Sequence, residues 1–555
     1  MSDSQPVLQQ RASINGSHGS GVEDDEKASE IAVAAPTGPG VPFSKAAEQR
    51  LLRKIDWKVV PFLSLLYLMS FLDRVNIGQA RLNGLEKDLH LKGNQFSIAL
   101  LVFFTSYVFF ETPAVIFVRR LRPSRFLPAA MMIWGVVMTL MGLVTNFTGL
   151  TMARFFLGFA EAPLFPAACF YLTSWYKRKE QNIRISFFFS AATLAGAFGG
   201  LIAHGLSMMN GLGGLAGWRW IFIIEGIVTF LVACVAPFVM TDFPEEANFL
   251  TQDEQQEVLR RLKADRGPSL QTEFAWSQVR AAFTDWKTYC FTLIYIVSLD
   301  GSNSWRFCNR LRIALIPSNL ALHQGVAEPF YSIALFIPTI VAALGTFSLS
   351  QSQLMSTPPF FLGFATTLFS ALYSDRLGHR GLFNVFWISL ASIGFIILLA
   401  RDPRTDPKVA YFALFLCVGG LCPCVSSAWV ISNSISWIGN NYPNRTKRSA
   451  AMGLFFSVGN AGGIVSSLVY FKQDSPRFIR GHSVGLGFAL MTLILSLGLT
   501  LHLRSENLAK DAKYGPAQDG DEDFDQLSAE EQQARIKAWG LEDMPQEALN
   551  ELAEE

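Results

Sequence analysis

The sequence predicts an all-α membrane protein, with twelve transmembrane helices arranged as two halves of six. Three observations point there. Hydrophobic residues make up 50% of the chain and charged residues only 16%, with a mean hydropathy of +0.28, more apolar than soluble domains are. Apolar runs long enough to cross a bilayer, which takes about 20 helical residues, recur in two blocks. One long polar stretch separates the blocks. The 46 Lys and Arg offset 45 Asp and Glu for a net charge of +1, so no basic field exists to hold nucleic acid. The low charged fraction also argues against a disordered chain.

Residues 1–45 are rich in Ser, Gly, Pro and acidic side chains and contain no long apolar run. They read as a disordered cytoplasmic tail, neither signal peptide nor anchor. From Ala46 to Lys58 the chain turns amphipathic and basic, with Arg50, Arg53, Lys54 and Lys58, as befits a cytoplasmic membrane surface. Spans 1 to 6 are expected at 59–79, 95–118, 126–145, 149–171, 185–208 and 219–240, completing a first half over 46–240. The polar stretch 241–286 is a central cytoplasmic loop, in which Thr251 and Glu254 form a capping box that opens a soluble helix. Spans 7 to 12 are expected at 289–296 with 325–345, then 353–373, 382–400, 410–436, 450–471 and 483–502, within a second half over 287–502. The tail 503–555 is polar and acidic and cytoplasmic, with a capping box from Ser528 to Glu531 and a helix that Gly540 can end.

Two blocks of six around one loop is the pattern of a transporter built from two halves about a midplane cavity. Charge placement puts both termini in the cytoplasm. Arg119, Arg120, Arg122 and Arg125 follow span 2, Lys177, Arg178 and Lys179 follow span 4, Arg376 and Arg380 follow span 8, and Arg445, Lys447 and Arg448 follow span 10. The loops after spans 3, 5 and 7 are nearly free of Lys and Arg, while those after 9 and 11 are not. Almost all of the seven cysteines fall in apolar runs, and Cys422-Pro423-Cys424 lacks a second ligand pair. They read as packing residues, and no metal or cofactor is expected.

Ser374-Asp375-Arg376-Leu377-Gly378-His379-Arg380 between spans 8 and 9 resembles the signature loop of the major facilitator superfamily. Arg154-Phe155-Phe156-Leu157-Gly158 in span 4 resembles its second motif. More specific are "LYLMSFLDRVNIGQARL" (Leu66 to Leu82), "FLGFAEAPLFPA" (Phe156 to Ala167), "SWYKRKEQNIRI" (Ser174 to Ile185), "GWRWIFIIEGI" (Gly217 to Ile227) and "DFPEEANFLT" (Asp242 to Thr251). Together, over about residues 46 to 505, they are similar to the fungal allantoate permease family. Those anion:cation symporters carry allantoate, nicotinate, pantothenate, biotin and related carboxylates with protons. The resemblance implies the major facilitator fold, a multi-pass location, most simply the plasma membrane, and proton-coupled uptake of a small organic carboxylate rather than enzymatic catalysis. Val115 stands where the family commonly has Asn, and His204 where an aromatic is more usual, so no single relative's substrate transfers.

Ionisable residues inside apolar spans cost about 2.5 to 3.5 kcal/mol each at the bilayer centre. Asp73 and Arg74 lie in the outer half of span 1, Glu111 in span 2 and Glu225 in span 6; Arg154 and Glu161 are seven apart in span 4, on one face. An arginine fork matches a carboxylate, and a carboxyl group removed from water takes up a proton more readily. These residues, with His204 and Tyr331, are the candidate substrate-binding or proton-coupling set. Each has a plainer alternative. Asp73, Arg74 and Arg154 can be structural ion pairs, Glu225 can pair with Arg219, and His204 can be a hydrogen-bonded packing residue. Asp375, Arg376, Gly378 and Arg380 read as a gating clamp rather than a substrate site. Tyr67, Tyr107, Phe165, Tyr331 and Trp429 suit either a heteroaromatic ring or ordinary packing. Gly196, Gly199 and Gly200 in span 5 and Gly459, Gly462 and Gly463 in span 11 occupy symmetric positions where small residues let helices approach. Asn146-Phe147-Thr148 matches a glycosylation acceptor on a loop too short to use it.

The expected partners are a small organic anion, protons and the bilayer, with the chain a monomer. A nutrient sensor that kept the transporter fold, and a carrier of a non-anionic solute, are the alternatives. No His-rich metal box, nucleophile motif or nucleotide loop supports an enzyme.

Span 7 is interrupted. Val297 to Gln324 carries Asp300, Arg306, Arg310 and Arg312 where apolar sequence should continue, each costly in lipid. Removing these 28 residues joins "CFTLIYI" to "GVAEPFYSIALFIPTIV", a span that resembles span 7 of the permease family, and brings 285–502 from 218 residues to 190, near the 183 of 58–240. Val297-Ser298 can be encoded by GTAAGT, Gln324 by CAG, and Ser318-Asn319 can contain CTAAC, the donor, acceptor and branch sequences of a fungal intron. Residues 297–324 therefore read as a retained intron, against the alternative of a real extracellular or cavity-lining insertion.

Overall fold

In the computed structural model the described residues are 45–120, 122–266, 276, 280, 316–377, 380–426, 450, 453, 454, 456, 457 and 459–514. The described residues from Arg50 onward form one compact unit. The first half is helical throughout: α1 (Lys45–Leu82), α2 (Gln95–Arg120), α3 (Pro123–Met141), α4 (Phe147–Glu161), α5 (Leu164–Trp175), α6 (Arg178–Ser207) and α7 (Gly217–Val239). After α8 (Gln252–Arg266) come α9 (Ile316–Ala343), α10 (Leu349–Met355), α11 (Thr357–Leu377), α12 (Arg380–Ala400), α13 (Pro407–Ser426), α14 (Gly462–Ser467) and α15 (Ile479–Tyr514). Among the described residues nine helices are long and apolar enough to cross a membrane, and Glu328–Ala343 is a shorter apolar helix.

Local chemistry sets the boundaries. The Asn146 side chain caps α4 by accepting the Gly149 N–H at 2.7 Å. Span 4 breaks at Ala162-Pro163, because proline offers no N–H to continue the helix. Ser348 and Gln351 cap α10 reciprocally at 3.2 and 3.0 Å. One boundary departs from expectation: α9 begins at Ile316, nine residues before the expected restart of span 7 at 325. Residues 297–315 lie outside the described residues.

Within the halves α3 packs on α7, α2 on α4, α12 on α13 and α15, and α9 on α15. Between the halves α6 packs on α11 and α2 on α14, which is where the two glycine clusters sit. A Cβ on Gly200 would lie 2.4 Å from the Gln353 carbonyl oxygen, and one on Gly463 would lie 2.1 Å from the Phe104 ring. Neither seam closes this tightly with a larger residue. Beside Gly200, Gln79 Nε2 donates to Ser356 Oγ at 3.2 Å, tying α1 to the turn before α11.

The expected capping box forms: Thr251 N–H donates to Glu254 Oε2 at 2.9 Å and Glu254 N–H to Thr251 Oγ1 at 3.3 Å. The helix it opens is not a free loop helix. Val258 and Leu262 are buried, and buried Arg261 pairs with Glu180 at the start of α6. Lys54 Nζ lies 2.6 Å from Glu254 Oε2, and the Ser124 N–H donates to Asp242 Oδ1 at 3.0 Å. The segment 241–266 is thus docked on the first half.

Partial burial favours the neutral form of the Glu254 carboxyl, but Lys54 and the Thr251 N–H outweigh it and hold the group below the usual glutamate range. A depressed folded-state pKa gives stability that is present above the unfolded value and lost as pH falls through the folded one. Protection factors for hydrogen exchange across Gln252–Arg266 are therefore expected to fall on acidification past the ordinary glutamate range, and less so in Lys54→Met. Equal acid sensitivity in both proteins would remove Glu254 as the cause.

Candidate functional site: a buried polar layer across the two halves

On α1, Ser70 and Arg74 are four apart and share a face, while Asp73 and Asn76 are three apart on another. The first face meets Glu161 at the end of α4. Arg74 Nη2 donates to Glu161 Oε1 at 2.7 Å and Nε to the same oxygen at 3.2 Å, and the Ser70 hydroxyl donates to it as well. Among the described residues Glu161 Oε2 has no hydrogen-bond partner. The third arm of the guanidinium leaves the first half: Arg74 Nη1 donates to the Tyr331 hydroxyl on α9 at 3.1 Å. Tyr331 donates onward to Asn460 Oδ1 at 2.8 Å. Asn460 Nδ2 returns to the first half, reaching both Glu111 oxygens at 2.9 and 3.1 Å. Tyr107 lies under the guanidinium, 4.6 Å from Cζ to ring centroid, a cation–π contact. Arg74 is 3% exposed, and Glu111 and Glu161 are 0% exposed, so these partners stand in for water.

The second face of α1 points into the first half. Asp73 Oδ2 accepts from Trp134 Nε1 at 2.9 Å and Thr229 Oγ1 at 3.0 Å, and Glu225 accepts from Asn76 Nδ2. Asp73 Oδ1 and Glu225 Oε1 have no partner among the described residues. Arg154 is fully buried, with Nε and Nη2 unpartnered among the described residues and its Cζ 5.7 Å from the Phe103 centroid.

The structure therefore joins Arg74, Glu111, Glu161 and Tyr331 in one network and sets Asp73 and Glu225 in an adjacent cluster. Several simpler pairings do not form. Asp73 is not bonded to Arg74, and Arg219 donates to the Gly142 carbonyl at 3.0 Å instead of meeting Glu225. His204 is half-buried near the end of α6, with Nδ1 unpartnered and no bond to the network, so it is not a hydrogen-bonded packing residue through that atom. Asp375 and Arg376 lie in the last turn of α11 and Arg380 opens α12; Gly378 and Trp429 lie outside the described residues. Tyr67 stacks on Phe188 at 4.5 Å, and Phe165 meets Phe456 at 4.8 Å, so both are occupied by packing. Sequence reasoning missed Ser70, Asn76 and Asn460. For Ser70 and Asn76 the available signal was an uncharged hydrogen-bonding side chain one helical turn from an ionisable one; Asn460 has no such neighbour.

A helical membrane protein whose two halves meet across a hydrogen-bonded polar layer is built as a secondary transporter. The chain belongs to the Major Facilitator Superfamily, which it matches over residues 63–467, and it is a transporter of that type. An uncharacterized transporter of Schizosaccharomyces pombe is 33% identical over 469 residues, covering 84% of this chain and 86% of that protein. The MFS-type transporter cnsO of Penicillium expansum is 33% identical over 479 residues, covering 84% and 85%. Among solved structures, that of the proton:xylose symporter XylE bound to 6-bromo-6-deoxy-D-glucose superposes with a TM-score of 0.54 at 14% identity, covering 84% of this chain and 96% of that one. This likeness is one of fold.

Proposed function

We propose that this transporter carries a small organic carboxylate into the cell together with a proton, across the plasma membrane, as the fungal allantoate permeases do. The observation that supports the reading is the sharing of Arg74 between Glu161 of its own half and Tyr331 of the other. A substrate carboxylate needs the same fork that Glu161 occupies. Protonation of Glu161 frees the fork, and the incoming anion then replaces the charge that the proton cancelled. Either event alone leaves a buried charge unpaired, which costs about 3–5 kcal/mol. Proton and anion therefore bind as a pair, and contact with Arg74 is felt at Tyr331, where the second half begins.

Uptake of labelled allantoate, nicotinate, pantothenate and biotin by cells expressing the chain tests this. Uptake of one of them is expected to quicken when the outside is made acidic and to collapse with a protonophore, with the matching amide failing to compete. Sodium-dependent, pH-independent uptake, or equal competition by the amide, would defeat it.

The same reading treats 297–324 as a retained intron. Sequencing the mature transcript is expected to find a dominant message lacking these 84 bases, three for each of 28 residues. A dominant message that contains them, with a product that transports as well as the shorter form, would make the segment a genuine insertion.

A further inference from the structure

Glu328 belongs to neither cluster described above. It lies on α9 one turn before Tyr331 and is 0% exposed. Its Oε1 accepts from the Ser332 hydroxyl at 2.7 Å, and among the described residues its Oε2 has no partner. An ionised carboxylate offers about four acceptor sites, and here one is met. Among the described residues no Lys, Arg or His forms an ion pair with it. The elements packed on α9 bring little that can titrate. From the turn after α14 comes Tyr470, whose hydroxyl bonds to His482 Nδ1 on α15 at 3.1 Å. Cys417 of α13 is buried beside them, and α10 and α14 carry no ionisable side chain. Arg74 on α1 reaches α9 at Tyr331, and Glu111 on α2 meets Asn460; neither bonds to Glu328. A buried charge with no counter-charge and one donor is among the costliest arrangements a protein can hold, and the neutral acid avoids it.

We propose that Glu328 is a proton-binding site of the second half, separate from the Arg74–Glu161 pair and occupied in this conformation. It gives the carrier a second acid that loads with a proton where no anion competes for its partner. The site is independent of the substrate's identity, since Glu328 bonds to Ser332 and to none of the described residues that hold Arg74.

Infrared difference spectroscopy of the full chain in lipid nanodiscs tests it without a substrate. At neutral pH, wild type minus Glu328→Gln is expected to show the loss of one protonated-carboxyl C=O band that shifts down in D2O. Glu328→Asp is expected to keep such a band at a moved frequency, and serves if the Gln variant folds poorly. Loss of a carboxylate stretch instead, or no change among the protonated-carboxyl bands, would overturn the proposal.

Discussion

Glu161→Gln is expected to abolish pH-driven accumulation of substrate while leaving exchange of substrate across the membrane intact. Gln keeps the volume of Glu161 and leaves an acceptor for Arg74 Nη2, which now donates to Glu161 Oε1 at 2.7 Å. It cannot take up a proton. The fork of Arg74 then carries an uncancelled charge in a buried site, so the anion is held in every cycle and leaves only when another replaces it. Loss of a tenfold or greater accumulation ratio, about 1.4 kcal/mol of gradient, with preserved counterflow in proteoliposomes would be the result. Retained accumulation under a pH gradient would take proton carriage away from Glu161. Asp73→Asn is expected to uncouple as well only if the coupled proton also binds in the second cluster, which makes the pair of variants diagnostic.

Gly200→Leu is expected to stop transport altogether in a protein that still inserts. Its Cβ would fall 2.4 Å from the Gln353 carbonyl oxygen, 2.7 Å from Thr357 Oγ1 and 2.8 Å from Ser356 Oγ. The nearest of these is backbone and cannot rotate away. Overpacking usually costs about 1–3 kcal/mol, and here the cost falls on the state in which α6 and α11 touch. The conformational equilibrium moves away from that state. Uptake should fall at least tenfold at unchanged surface expression, and a cysteine placed at Ser356, now 1% exposed, should become labelled by a membrane-impermeant reagent. Normal uptake would show that this seam is not a gate.

The helices were legible because a bilayer demands about 20 apolar residues in a row, and the helix at Gln252 because its capping box is local. The network was legible only in its members. Arg74 was read beside Asp73 because the two are adjacent in sequence, yet adjacent residues on a helix point about 100° apart. They serve different clusters for that reason. Asn460 was invisible because an amide in a span carries no charge to mark it, and its partner Glu111 is 349 residues away. Glu328 was hidden by its place just past the interrupted stretch of span 7, whose basic residues carry the stronger charge signal. The docking of 241–266 rests on pairs such as Arg261 with Glu180, 81 residues apart, which no local pattern announces.

That docking bears on how the chain is made. Arg261, Glu254 and Asp242 find Glu180, Lys54 and Ser124, all of which leave the ribosome earlier. The first half therefore acquires its polar cover before any of α9 is synthesised. A gene divided after Arg266 yields an amino-terminal fragment that carries this cover with it. A division at Thr241 leaves Glu180 and Lys54 facing water and strands Val258 and Leu262, 1% and 3% exposed in the intact chain, on the wrong fragment. Co-expressed pieces cut at the later point are the ones that should reassemble.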